Sequence, residues 1–340
     1  MEHSKRWYYG WVVGILAAIV VCSLAALTMG RYRVGFHEIW AVFFPGAGSQ
    51  EIDGTVKNVV MNVRLPRIGL ALLAGAGLSS AGAAFQALFA NPLATPDTLG
   101  VATGASFGAV LAILFGWPSI AIQTNALILG ILAVGLVYLV SIPKKGSGRA
   151  SVVMIVLAGM VVGSLFSALV SLVKYAADPQ DVLPAITFWL MGSLSSTTRE
   201  TLILGAPFIL IGMVFLFLFR WKLNAMTLTE EEAVSLGIPV KRIRAAVVIA
   251  AAMITASVVS MCGLIGWVGL LIPHISRMLF GSNNQRVIPA SMGLGAVFML
   301  VIDTMARCLW ASEIPVSILT AVIGAPFFII LLRKTGGIGQ

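Results

Sequence analysis

Long runs of apolar residues, separated by short polar segments, dominate the hydrophobic pattern of this chain. The runs are continuous and do not alternate with polar residues, which is typical of membrane-spanning helices and not of barrel strands. Crossing a bilayer takes about 20 helical residues, and the runs predict ten spans. Their predicted bounds are residues 11–29, 64–89, 99–115, 122–142, 151–174, 202–219, 245–261, 267–280, 290–309 and 315–334.

The first apolar run follows Lys5 and Arg6 and therefore resembles a secretory signal peptide. It is also long enough to span, and no clear small-residue cleavage site follows it, so we expect a retained first helix. No polar segment is long enough to build a soluble domain. The pattern thus predicts an all-α polytopic membrane protein with a single transmembrane domain, residues 1–340.

Small residues predict where the spans pack closely, because they let helix backbones approach one another. The second span contains Gly75, Gly77 and Gly82. In the third span Gly100, Gly104 and Gly108 recur every four residues and predict one smooth stripe against a neighbour. Between spans, the pattern predicts a short extra helix at residues 186–192 and a polar loop at residues 282–286.

Composition and charge support a membrane protein. The chain is 59% hydrophobic and 10% charged, whereas soluble domains carry about 25% charged residues. The formal charge of +9 could indicate nucleic-acid binding, but the basic residues are spread over many short loops, so we exclude it. With both termini in the cytoplasm, most of the lysines and arginines fall on the inner side, as the positive-inside rule requires.

Residues 223–244 form the longest strongly charged interruption between apolar runs. The pattern predicts two short helices. Thr229 can cap the first, Glu232 completes a capping box, and Gly237 ends it. Pro239 fits the first turn of the second, which carries Lys241, Arg242 and Arg244. The charge pattern alone leaves two interpretations open, a docking surface for a partner and a solvated loop that only sets topology.

The sequence contains few groups that could perform chemistry. It has no G-x-x-x-x-G-K-[ST] nucleotide loop, and its three histidines and three cysteines show no metal-ligand spacing. Asp303 is the one charged residue well inside a span, and Arg307 follows four residues later, which predicts a local ion pair near the outer boundary. These features leave a channel, a passive carrier, or a subunit that another protein drives.

Several stretches together resemble the transmembrane permease of FecCD-type ABC importers for ferric siderophores, haem and cobalamin. They are RLPR at 64–67, NPLATPDTLG at 91–100, SLG at 235–237, GLIGWVGLLIPHISR at 263–277, DTMAR at 303–307 and EIPVSILTAVIGAPFFIILLRK at 313–334. Each motif is modest alone, but their order and spacing are specific. The resemblance implies a ten-helix, type II importer permease in a prokaryotic cell membrane.

The resemblance also implies partners. They are a second permease subunit (a homodimer is favoured), two ATP-binding subunits and an extracytoplasmic substrate-binding protein. ATP and Mg would bind the separate ATPase, so this chain would be no enzyme and would bind no cofactor or metal itself. The cytoplasmic loop after the sixth span would hold the coupling residues Thr229, Glu230, Glu231, Glu232, Ala233, Leu236, Gly237, Pro239 and Arg242.

By the same resemblance, outer-face arginines would meet acidic residues of the binding protein; the matching positions are Arg64, Arg67 and Arg307. We expect them to be exposed, where each pair contributes about 1 kcal/mol or less. For Arg64 and Arg67, the alternative is interfacial anchoring of the second span. The cytoplasmic gate would contain Asn91 and Leu93 and, before the fifth span, Ser147 and Ser151. For Asn91 and the proline after it, the alternative is an ordinary turn between helices.

The fifth span would line the pore with Met154, Met160, Ser164 and Ser167, and helix packing is the alternative for each. The implied mechanism is alternating access, in which ATP binding on the ATPase subunits resets the gates. The expected cargo is an iron complex, a ferric siderophore first, with haem and cobalamin as alternatives. An ion-coupled or passive secondary transporter is the alternative class; it needs an ion site at the membrane midplane.

Overall fold

The computed structural model describes residues 2–44, 53–141, 152–228 and 230–335, and every regular element within them is helical. The α-helices are α1 Glu2–Thr28, α2 Phe36–Phe43, α3 Gly54–Asn58, α4 Leu65–Leu88, α5 Val101–Leu114, α6 Ser119–Ser141, α7 Val152–Ala176, α8 Val182–Leu190, α9 Arg199–Phe219, α10 Lys222–Ala225, α11 Glu230–Ser235, α12 Val240–Cys262, α13 Val268–Phe280, α14 Asn284–Cys308 and α15 Val316–Thr335. A π-helical segment, Val59–Arg64, joins α3 to α4, and a 3-10 turn, Pro96–Leu99, precedes α5.

The ten predicted spans appear in order. Within the described residues, seven helical segments are long and apolar enough to cross a membrane, and Gly54–Leu88 is the longest of them. The other three spans are the shorter apolar helices α5, α13 and α15. Short helices occupy the connections, and α8 corresponds to the extra helix predicted near residues 186–192. We call the end that carries α2 and α8 the outer end, and the end that carries α10 and α11 the inner end, following the charge pattern.

Helix α4 lies at the centre of the bundle because its small residues allow backbone-to-backbone contact. A Cβ atom added at Gly75 would lie 2.1 Å from the carbonyl oxygen of Gly295 in α14. One added at Gly82 would lie 1.8 Å from the carbonyl oxygen of Gly269 in α13. The prediction of close packing through the glycines of this span is therefore confirmed. Nearly all of α4 from Pro66 to Leu88 is buried.

The glycine stripe of the third span is only partly as predicted. Gly104 and Gly108 face α6, where added Cβ atoms would lie 2.8 Å and 2.5 Å from the carbonyl oxygens of Leu129 and Asn125. Gly100, however, precedes the helix with a φ of +71° and faces Gly163 of α7. A left-handed residue cannot continue an α-helical stripe, so the expectation of one face with three glycines was wrong at Gly100.

Two further predictions, one helix boundary and one short helix, were also wrong. The ninth span begins at Asn284 and not at residue 290, because the Asn283 side chain caps it and accepts a hydrogen bond from the Gln285 amide at 3.0 Å. The predicted second short helix of residues 223–244 does not exist as a separate element. Pro239 directly precedes Val240, and α12 then continues without a break to Cys262.

Candidate functional site

A buried cluster of charged side chains lies at the outer end, where α4 meets α14. The Arg67 guanidinium donates from Nε to Asp303 Oδ1 at 2.9 Å, and its two terminal nitrogens donate to the two carboxylate oxygens of Glu313 at 3.0 Å each. Arg67 is 5% exposed and Asp303 is fully buried. This bidentate pairing of Arg67 with Glu313 is the strongest geometry available to an arginine and a carboxylate.

Arg307 joins this cluster from the same helix as Asp303. Its Nε lies 3.3 Å from Asp303 Oδ2, within ion-pair distance, although these two atoms are not aligned for a hydrogen bond. Its other nitrogens donate to the carbonyl oxygens of Ala26 and Met29 at 3.4 Å. The predicted local ion pair is confirmed, and the structure adds Arg67 and Glu313 to it.

Arg64 completes the cluster on the side of α1. It donates hydrogen bonds to the carbonyl oxygens of Leu27 and Tyr32. Arg64, Arg67 and Arg307 are only 3%, 5% and 7% exposed, so the expectation of exposed guanidinium groups was wrong. Their partners explain why: Arg67 pairs with Asp303 and Glu313, and backbone carbonyls accept hydrogen bonds from Arg64 and Arg307. Whether these arginines also meet a binding protein stays a prediction.

Two exposed cations at this end, Arg31 and Arg33, were not among the predicted site residues. Together with Arg307 they line an open cavity of about 570 Å³ between the end of α1 and the end of α14. Both belong to the short connection between α1 and α2, and their alternation with Tyr32 and Val34 was the available signal.

The charged segment of residues 223–244, where coupling is predicted, begins at the inner end with α10 and α11. Asn224 in α10 donates to Asn283 Oδ1 at 2.9 Å and accepts from the Asn284 amide at 2.8 Å, which ties the segment to the start of α14. Gly237 ends α11 with a φ of +73°. Its amide donates to the Val234 carbonyl at 2.9 Å and the Ile238 amide to the Ala233 carbonyl at 3.1 Å. This paired pattern is a Schellman ending, so the predicted stop is confirmed.

The side chains of α11 and of the residues that follow it differ in whether they face the core or the solvent. Ala233 is 1% exposed and packs into the core, whereas Leu236 is 65% exposed. Glu231, Glu232, Pro239 and Arg242 are exposed as well. Ala233 therefore positions the helix and does not present a contact. Thr229 lies outside the described residues, and so does the side chain of Glu230.

The predicted gate residues Asn91 and Leu93 lie next to the start of α7. They line a cavity of about 250 Å³ with Val153 and Leu157 of that helix. Asn91 Oδ1 accepts a hydrogen bond from the Leu93 amide at 2.9 Å, which fixes a turn, and Leu93 is exposed. The structure thus brings the loop after α4 and the start of α7 together. Ser147 and Ser151 lie outside the described residues.

Three of the four predicted pore residues share one exposed face of α7. At 100° per residue, Met160, Ser164 and Ser167 lie within about 60° of one another around the helix, whereas Met154 lies about 120° from Met160. Ser171 falls on the same face, and its hydroxyl donates to the Ser167 carbonyl at 3.0 Å. Ser171 was not predicted, although its spacing of seven residues from Ser164 and eleven from Met160 places it on this face.

Comparisons with known proteins all find transport proteins. Residues 18–334 match the model of the FecCD transport family. The molybdate import system permease protein of Haemophilus influenzae is 41% identical and covers 96% of this chain and 97% of its own length. A probable iron chelatin transport system permease protein of Helicobacter pylori is 36% identical over 95% and 98%. A solved structure described as an inward-facing metal-chelate type ABC transporter superposes with a TM-score of 0.86 at 39% identity, over 96% of this chain and 99% of the other.

Proposed function

Because the chain belongs to the FecCD transport family, we propose that it carries an iron complex across the membrane, a ferric siderophore first, with haem and cobalamin as alternatives. The chain itself is the multi-pass permease subunit of an ABC importer and is not an enzyme. This family membership removes the alternative of a secondary transporter.

The observation that carries the mechanism is the direct connection between α11 and α12. Helix α11 presents acidic side chains at the inner surface, the exposed Leu236 follows it, and the short turn of residues 236–239 leads directly into α12. Helix α12 is mostly buried and packs against α4, α5, α6 and α9. A displacement imposed on α11 by an ATPase subunit would therefore reach the centre of the permease, where alternating access requires it.

The assembly that we propose contains two copies of this chain, two ATP-binding subunits and an extracytoplasmic binding protein, with both termini of the permease in the cytoplasm. ATP and Mg bind the ATPase subunits. The path between the copies is lined by Met160, Ser164, Ser167 and Ser171 and closed at the inner end by Asn91 and Leu93. Apolar and weakly polar side chains suit a bulky ligand that must pass without strong binding.

At the outer end, we place contact with the binding protein at Arg31 and Arg33, while Arg64, Arg67 and Arg307 hold the surface beneath them. Exposed guanidinium groups attract and orient an acidic partner. Changing Arg31 and Arg33 to Glu should lower binding-protein affinity and leave ATPase capture unchanged. Equal affinity of the variant and the parent, measured with the purified binding protein, would return the docking role to the buried arginines.

Co-purification with the ATP-binding subunit of the same transporter tests the coupling surface. The parent chain should capture the ATPase, and a Glu231→Arg, Leu236→Arg double variant should not. The matched control is Asp181→Arg, Tyr175→Arg, which changes one exposed acid and one exposed large side chain at the outer end. If the double variant folds and still captures the ATPase as well as this control does, residues 230–237 do not form the coupling surface.

A second cargo, the molybdate oxyanion, is favoured by one specific observation, the full-length similarity to a molybdate permease at 41% identity. Uptake of radioactive iron chelates and of radioactive molybdate by cells that carry the complete transporter distinguishes the two. Competition by unlabelled molybdate but not by iron chelates would replace the iron proposal.

A further inference from the structure

A groove opens between α1, α9 and α14 at the inner end, outside every surface described above. Its volume is about 640 Å³, within the range of roughly 300–1,000 Å³ that ligand sites occupy. The wall from α1 is apolar and contains Val12, Ile15, Leu16 and Ile19. At its back α1 and α14 meet closely, since a Cβ atom added at Gly293 would lie 2.5 Å from Ile15.

The length of the groove matches one leaflet of a bilayer. Its α1 wall runs from Tyr8 to Ile19, which is about 16 Å along a helix that rises 1.5 Å per residue. The hydrocarbon core of a bilayer is about 30 Å thick, so half of it is about 15 Å. An acyl chain that enters at Tyr8 would thus be covered over its whole depth in that leaflet.

Two arginines stand at the mouth of this apolar groove. Arg220 directly follows α9, and its guanidinium carbon lies 3.8 Å from the centre of the Phe217 ring. Arg286 lies in the first turn of α14, with its guanidinium carbon 5.7 Å from the centre of the Tyr8 ring. Both line the groove. They place positive charge where the apolar wall ends.

An aromatic cluster marks the same level as the membrane interface. The rings of Trp7, Tyr8 and Trp11 surround Phe280 at centroid distances of 5.7, 5.8 and 6.0 Å. Tryptophan and tyrosine concentrate at the level of lipid headgroups. Because Arg286 contacts Tyr8 of this cluster, its guanidinium group at the mouth lies at headgroup depth by a criterion independent of the groove's length.

We infer that this groove is a binding site for an anionic phospholipid, with one acyl chain along Tyr8–Ile19 and the phosphate between Arg220 and Arg286. The inner side, as the charge pattern assigns it, faces the leaflet that carries anionic lipids, and basic pockets between spanning helices recognise their headgroups. The lipid would fill the space between α1 and α9 and hold α1 against α14. A zwitterionic lipid offers the same chain but no net charge to the two arginines.

Native mass spectrometry of the purified full chain tests this site with phosphatidylglycerol and phosphatidylcholine of equal chain length. The parent should prefer phosphatidylglycerol roughly thirtyfold, as two basic contacts near an anionic surface would give. Arg220→Gln, Arg286→Gln should remove this preference. The matched control Lys241→Gln, Arg242→Gln changes two exposed cations at the same end and should keep it. Leu16→Trp, which fills the groove and leaves both arginines, should reduce retention of both lipids.

Each result decides the inference, and none depends on an ATPase or a cargo. Equal retention of the two lipids by the parent overturns it, as does an unchanged preference in the arginine variant when its helix content and unfolding temperature without lipid equal the control's. Displacement of bound lipid by millimolar inorganic phosphate would show that the arginines bind an anion without the chain, and would also overturn it. Preserved retention in Leu16→Trp would place the lipid elsewhere.

Discussion

Replacing Asp303 by Asn removes the central negative charge of the outer cluster with almost no change of shape. Asp303 is fully buried between Arg67 at 2.9 Å and Arg307 at 3.3 Å. Removing one partner of a buried ion pair costs about 3–5 kcal/mol, because the other charge stays buried without compensation. Arg67 keeps its two bonds to Glu313, so we expect the lower end of that range, about 3 kcal/mol.

The neighbouring carboxylate supplies an internal comparison. Glu313 is 27% exposed, so water can partly replace its interaction with Arg67, and Glu313→Gln should cost about 1 kcal/mol or less. The assay is the free energy of unfolding in mixed micelles, measured by titration with sodium dodecyl sulfate and followed by circular dichroism. Asp181→Asn, at an exposed acid, is the control for loss of a charge as such.

A double-mutant cycle then tests the stated cause. Asp303→Leu with Arg67→Leu should destabilise the protein by less than the sum of the two single changes, since the double variant leaves fewer buried charges unpaired. Two results would refute the reasoning: a cost for Asp303→Asn no larger than that for Glu313→Gln, or strict additivity in the cycle. Either would mean that water reaches this cluster and screens it.

Three further predictions concern packing, coupling and the pore. Gly82→Ala should destabilise the protein by about 1–3 kcal/mol in the same titration, because the added methyl group would overlap the Gly269 carbonyl; Gly135→Ala, with open space around it, should have no such effect. Gly237→Ala should reduce stability by about 1 kcal/mol, because Gly237 has a left-handed backbone that alanine disfavours, and it should weaken ATPase capture in the co-purification assay. Capture by this variant at the level of the parent chain would contradict this prediction. In a Cys308→Ser background, Ser164→Cys and Ser167→Cys should react with a water-soluble maleimide in the assembled transporter. The control Leu165→Cys should not react, because this position lies about 140° from Met160 around α7. Equal labelling of Ser164→Cys and Leu165→Cys would place the pore elsewhere.

The ten spans could be predicted because a helix that crosses a bilayer must be predominantly apolar over about 20 residues. Even the short α5, α13 and α15 were found, since prolines and glycines bound them. The stop at Gly237 was also predictable, because a left-handed residue favours glycine whatever surrounds it. These are local properties, decided by neighbours in the chain.

The outer arginines show what local patterns cannot supply. Arg67 stands beside a span end, where a charge is ordinarily exposed, but its partners Asp303 and Glu313 lie 236 and 246 residues away. Burial of such a charge depends on tertiary neighbours, so the sequence pattern favoured exposure. The same limit explains Ala233, whose inward direction depends on how α11 rests on α12, and Arg31 and Arg33, whose shared cavity exists only after α1 and α14 meet.

The contact between Gly75 and Gly295 has a consequence for how this sequence can evolve. In most helix pairs, a larger side chain on one helix can be offset by a smaller one on the other. Here both residues are already glycine, and each presents its bare backbone to the other. A substitution at either position has no compensating partner, so these two sites must change together with the spacing of α4 and α14 or remain as they are.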